Sequence, residues 1–129
     1  MAQQLTSLRP YALAALRIAL GLVVFSFGAA KVLHFHPGPF TPPIGSLIWS
    51  AGLIELVAGF LFLIGYQTRI AAFILSGEMA AAYFIAHLPQ SFFPTENGGY
   101  AAAVYCFVFL YFVTAGAGPF SVDANLGKD

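Results

Sequence analysis

Four apolar runs, cut by proline, glycine or one short polar turn, dominate this chain and restrict it to very few folds. The first extends from Tyr11 to Leu33, broken only by Arg17, Ser26 and Lys31; the second from Leu47 to Gly65, broken by Ser50 and Glu55. The third covers Ile70 to Leu88, and the fourth, Tyr100 to about Gly116, carries no charge. A helix of roughly 20 residues crosses a bilayer, so these lengths predict transmembrane helices. Between the first two runs, four prolines in seven residues (Pro37, Pro39, Pro42, Pro43) exclude a helix. Tyr66 to Arg69 is long enough only for a tight turn, which makes the second and third helices antiparallel neighbours. The expected fold is all-α: a four-helix transmembrane bundle over residues 11–117, with a polar segment 1–10 and a tail 118–129.

Composition leads the same way. The chain is 60% hydrophobic and 8% charged, against about 25% charged residues in an ordinary globular domain. So few charges cannot cover a water-facing surface, and the outside must lie in lipid. Net charge is zero and no basic tract exists, which argues against nucleic acid as a partner. The single cysteine, Cys106, sits in an apolar run and reads as a small core residue. The first run is longer than a signal core, lacks a small-x-small site and precedes further spans, so it is read as a span. Arg9, Arg17, Arg69 and Lys128 fall on one side of the bundle, while the first and third loops hold no Lys or Arg. By the positive-inside rule both termini are expected to be cytoplasmic, and the expected location is the plasma (inner) membrane, as a multi-pass protein.

Charges inside the spans narrow the reading further. An Asp, Lys or Arg at a helix centre costs about 2.5–3.5 kcal/mol, several times what one leucine returns. Glu55 and Glu78 therefore face the bundle interior. At a rise of 1.5 Å per residue, Arg17, Glu78 and Glu55 lie ~9, ~12 and ~15 Å from the cytoplasmic helix ends, and His87 and Lys31 ~25 and ~30 Å. Two polar layers are expected: Arg17 with Glu55 and Glu78, and Lys31 with His87, His34, His36 and Glu96. Gly21 and Gly28 share a face with Arg17 and Lys31, and Gly52 and Gly59 flank Glu55, so these glycines are packing positions. Glu78 and His87 are nine residues apart, about half a turn out of phase.

Two uses fit the inner layer: an ion pair that fixes helix register, or a proton-handling or substrate-polar site. Three fit the outer layer: plain interfacial residues, a quinol head-group site, or a weak metal site of His34, His36 and His87. The aromatic residues Phe84, Phe92, Phe93, Tyr100, Tyr105, Phe107 and Tyr111 read as lipid-facing or as an interfacial belt. No nucleophile–base pair, phosphate loop or haem-attachment motif is present, so the chain shows no self-contained catalysis.

The segments Leu16–Gly21 with Gly28 and Lys31, Gly52–Gly59, Gly65–Arg69, Gly77–Phe84, His87–Gln90, Asn97–Gly99 and Tyr105–Phe107 together resemble the DoxX family of small membrane proteins. The likeness covers about residues 10 to 125. It implies a four-helix integral membrane protein linked to respiratory and sulfur metabolism, as in the small subunit of a thiosulfate–quinone oxidoreductase, or to oxidative-stress complexes. The expectation is a subunit or partner of a membrane redox complex, with quinone as the cofactor to look for. Other membrane subunits or a second copy of the chain would be its partners, besides the bilayer. The alternatives are a structural or assembly subunit without chemistry of its own, and a small-solute permease.

Overall fold

The computed structural model describes residues 1–34 and 42–128, and the element structure among them is all-helical. The elements are α1 (Ala2–Thr6), α2 (Arg9–Val32), α3 (Leu47–Ile64), α4 (Thr68–Ala82), a π-helical turn (Tyr83–His87), α5 (Pro94–Asn97), α6 (Tyr100–Ala115) and α7 (Val122–Asn125). Among the described residues three stretches are long and apolar enough to cross a membrane: 2–32, 47–64 and 68–87. The fourth apolar helix, α6, has 16 residues, about 24 Å of rise, and is shorter than a typical span.

Local chemistry sets the ends. Ser46 caps α3, its hydroxyl accepting from the Trp49 N–H at 3.2 Å. Gly65 closes α3 at φ +75°, a left-handed position that glycine takes without strain. The Gly65 N–H bonds the Phe62 carbonyl and the Tyr66 N–H the Leu61 carbonyl, a Schellman closure that leads directly into the turn.

α2 packs along α3, α3 along α4, and α4 along α6. In the first pair Gly21 faces Leu63, Gly59 faces Phe25, Gly28 faces Leu56 and Gly52 faces the Lys31 stem, all in one antiparallel register. A Cβ on Gly28 would overlap the Leu56 backbone, which cannot swing aside as a side chain does. Gly28→Val should therefore force the two helices apart, costing about 1–3 kcal/mol. A lowered melting temperature in detergent would reveal it; an unchanged one would mean that the helices are not in van der Waals contact there. The core beyond this seam is Leu20, Val24, Ala58, Phe62, Ala71, Ala72, Leu75, Met79, Phe109 and Phe112. Phe62 sits edge-on to Phe109 and Phe112, with ring centroids 5.0 and 4.9 Å away.

Arg17 does not join the glutamates. The α2–α3 register places it level with the α3–α4 turn, where it is 1% exposed. Its guanidinium donates to the carbonyls of Ala117, Pro119 and Phe120, and its Nε to that of Leu63. α2 starts well before the level at which α3 ends, so Arg17 lies nearer the end of the bundle than its distance from the start of its apolar run implies. Residues 118–128 fold back onto this end of the bundle. Gly118 (φ +75°) turns the chain so that successive carbonyls point at Arg17.

Asp123 completes the clasp. Its carboxylate accepts from the Gln67 and Thr68 N–H groups at 2.9 and 3.0 Å, capping α4 from 55 residues away, and its own N–H donates to the Gly65 carbonyl at 2.8 Å. Burial raises the Asp123 pKa, but the bonds from Thr68 and Gln67, with Lys128 nearby, outweigh it and hold the carboxyl below its ordinary value of 3.8. Because the folded value is depressed, the cap's contribution is complete above the unfolded value and is lost as pH falls through the folded one. Asp123→Asn should thus lower thermal stability at pH 7 by about 1 kcal/mol, and the gap to wild type should close in strong acid. A gap that persisted there would refute the carboxylate cap.

Candidate functional site

The polar centre of the bundle is built by Lys31 of α2, Glu55 of α3 and Glu78 of α4. Lys31 Nζ is 2.7 Å from Glu55 Oε1, and the Glu55 side chain is almost fully enclosed. Lys31 also lies 5.8 Å above the Phe27 ring. Gly52 explains the reach: the Lys31 stem passes against it, and the flexible chain extends one helical turn inward to Glu55. Backbone depth therefore understates where a lysine's charge lies, and Lys31, placed in the outer layer by sequence, belongs with the glutamates.

Glu78 lies beside Glu55 and Lys31. Its Oε1 is buried, and among the described residues no donor reaches it. Among the described residues one cation, Lys31, thus faces two carboxyl groups.

These groups form the floor of a cleft of about 430 Å³. Its walls come from α3 (Ile48, Ala51, Ile54), α4 (Ile74, Ala81, Ala82) and the π turn (Ile85, Ala86), with Ser50 and His87 as the further polar members. Ile48, Ile54, Ile74 and Ile85 are exposed on the outer surface, so the cleft opens sideways between α3 and α4.

His87 reaches this cleft because of the π turn. The Leu88 N–H bonds the Tyr83 carbonyl, five residues back, at 2.8 Å. Such a turn holds one residue more than an α turn and swings the next residues by about 100°. The expected half-turn separation from Glu78 is thereby reduced, and both side chains line one cavity. His87 Nδ1 is 3.0 Å from the Asn97 carbonyl oxygen. Asn97 is buried and ties the loop together: its amide donates to the Ser91 carbonyl and the Tyr83 hydroxyl, and its Oδ1 accepts from the Gly99 N–H.

Other residues singled out in the sequence lie elsewhere. Glu96 is exposed in the outer loop, accepting from the Ser91 hydroxyl at 3.0 Å, and does not line the cleft. His34 is exposed just past α2, and His36 lies outside the described residues. Among the described residues no three His, Cys, Asp or Glu side chains are grouped to hold a metal. Sequence reasoning missed Ser50 as a cleft residue and Asp123 as a cap. Neither carried a signal, since each acts across a distance that only the fold defines.

An all-helical chain with long apolar helices, outward-facing apolar residues and a charged cluster inside is a membrane protein. It belongs to the DoxX family, whose profile matches residues 12–88. An uncharacterized protein of Haemophilus influenzae is 44% identical over 127 residues, covering 93% of this chain and 94% of that protein. A second uncharacterized protein of the same organism is 27% identical over 100 residues, 77% of this chain and 66% of that protein. No solved structure matches the chain significantly.

Proposed function

We propose that this DoxX-family protein is a small subunit or partner of a quinone-linked redox complex, and that its lateral cleft receives the quinone head group from the bilayer. The observation that carries the reading is the cleft itself: apolar walls open to the lipid side, over a floor of Lys31, Glu55 and Glu78 with His87 in the same cavity. A lipid-soluble head group needs an apolar slot beside groups able to donate and accept hydrogen bonds and protons. In this reading α6 completes a four-helix transmembrane bundle in the plasma membrane, with both termini cytoplasmic. Arg9, Arg69 and Lys128 then lie on the cytoplasmic side.

Extraction in mild detergent tests it. The expected result is co-purification with redox subunits and a quinone-dependent turnover of that complex, lost in Glu78→Gln although the variant still folds. Stoichiometric partners whose turnover is indifferent to quinone and to Glu78→Gln would favour the assembly role instead. Labelling a cysteine placed at Ser91 checks the orientation: modification from the cytoplasmic side alone would reverse it.

A further inference from the structure

We infer that Lys31 is the residue that holds the head group, its ammonium donating a hydrogen bond to one oxygen of the ring. The inference rests on the quinone reading above and adds which side chain touches the ligand. Its ground is the set of hydrogens that the polar groups of the cavity have left to give.

The polar residues that line the cleft are Lys31, Ser50, Glu55, Glu78 and His87. Ser50 donates its hydroxyl hydrogen to the Ser46 carbonyl at 2.9 Å. Glu78 and Glu55 meet carboxyl to carboxyl, in a bond that needs a proton between them and keeps it there. Glu78 Oε1 is enclosed and does not face an entering ligand. The Nδ1 edge of His87 is turned to the Asn97 carbonyl at 3.0 Å.

Lys31 differs from all of these. An ammonium carries three N–H donors. Glu55 Oε1 takes one at 2.7 Å, and the Phe27 ring, 5.8 Å away, can engage one more. At least one N–H is left for a ligand in the cleft. The ammonium is also fixed before any ligand arrives, its stem pressed against Gly52 and its charge held by Glu55. The Lys31 side chain is 27% exposed and that of Glu55 5%, so the donor is more accessible than the carboxyl that orients it. A carbonyl oxygen accepts the spare N–H without displacing Glu55. A charged, preorganised donor at the floor of an apolar slot makes one strong bond and loses little freedom in making it. With one oxygen on Lys31, the ring lies among Ile54, Ile74 and Ile85, and its apolar chain leaves by the sideways opening.

The test uses the whole protein in lipid vesicles, carrying Lys128→Gln so that Lys31 is the one lysine left. The lysine nitrogen and both carbonyl carbons of decylubiquinone are isotopically labelled. The expected result is a direct dipolar contact, by solid-state NMR, between Lys31 Nζ and one of the two carbonyl carbons. In calorimetric titrations Lys31→Met/Glu55→Gln should bind decylubiquinone about tenfold or more weakly than wild type, the loss expected for one hydrogen bond to a charged donor. Quinone that binds without the lysine contact, or with unchanged affinity in a folded double variant, overturns the inference and leaves the quinone reading standing. Absence of quinone binding by the wild type overturns both. Where the double variant does not fold, the contact read in the intact cluster decides alone.

Discussion

Arg17→Met should lower thermal stability more than any other single substitution at the tail end of the bundle. The guanidinium satisfies carbonyls of Leu63, Ala117, Pro119 and Phe120 in an enclosed site. Methionine fills part of the volume and supplies no donor. Each buried acceptor left unmatched costs about 1–3 kcal/mol. The tail can relieve that cost only by peeling away to meet water, which gives up the Asp123 cap as well. A net loss of about 3 kcal/mol or more is expected, together with protease cleavage between Ala117 and Asp123 that the wild type resists. Arg17→Lys should recover only part of the loss, because a point charge on a flexible stem cannot serve a fan of carbonyls as a planar fork does. An Arg17→Met protein with wild-type melting and a protected tail would show that the clasp contributes nothing to stability.

The second large effect is an asymmetry within the ion pair. Lys31→Met removes the cation and leaves two enclosed carboxyl groups facing each other with nothing to offset them. Glu55→Gln leaves Lys31 free to turn to Glu78, one cation to one carboxyl. Breaking a buried pair by removing one partner costs about 3–5 kcal/mol. That cost should fall on Lys31→Met, while Glu55→Gln loses clearly less. The double variant Lys31→Met/Glu55→Gln leaves a single carboxyl with no second one beside it and should regain most of the stability lost in the single lysine variant. Thermal melts of the four proteins in one detergent form a double-mutant cycle that decides the matter. Equal losses in the two single variants, adding without coupling in the double, would mean that the charges do not sense one another.

Much of this architecture was legible in the chain, and for identifiable reasons. Four apolar runs, a four-residue turn and a proline cluster leave little besides antiparallel helices in a membrane. The glycines at 21, 28, 52 and 59 announced close approach, because a residue without a side chain on a helix face has little other use there. That Glu55 and Glu78 turn inward followed from the cost of exposing them to lipid. Which cation meets them did not follow. The choice between Arg17 and Lys31 depends on how far α2 overhangs α3, an offset of several residues that hydropathy cannot measure. It depends also on a lysine's length, which carries its charge a full turn from its backbone. His87 entered the cavity through one extra residue in a helical turn, and no residue type between Tyr83 and His87 signals that geometry.

The tail clasp bears on the order in which the molecule is made. The residues that close around Arg17 are 117 to 120, and the carboxylate that caps α4 is at 123. Both emerge from the ribosome only after all four apolar helices have been synthesised. Until then Arg17 has yet to meet these acceptors, and the N-terminus of α4 lacks its cap. The nascent bundle is therefore an unfinished, provisional assembly that the residues after α6 seal. The clasp is thus the last group of contacts that the order of the chain allows to form.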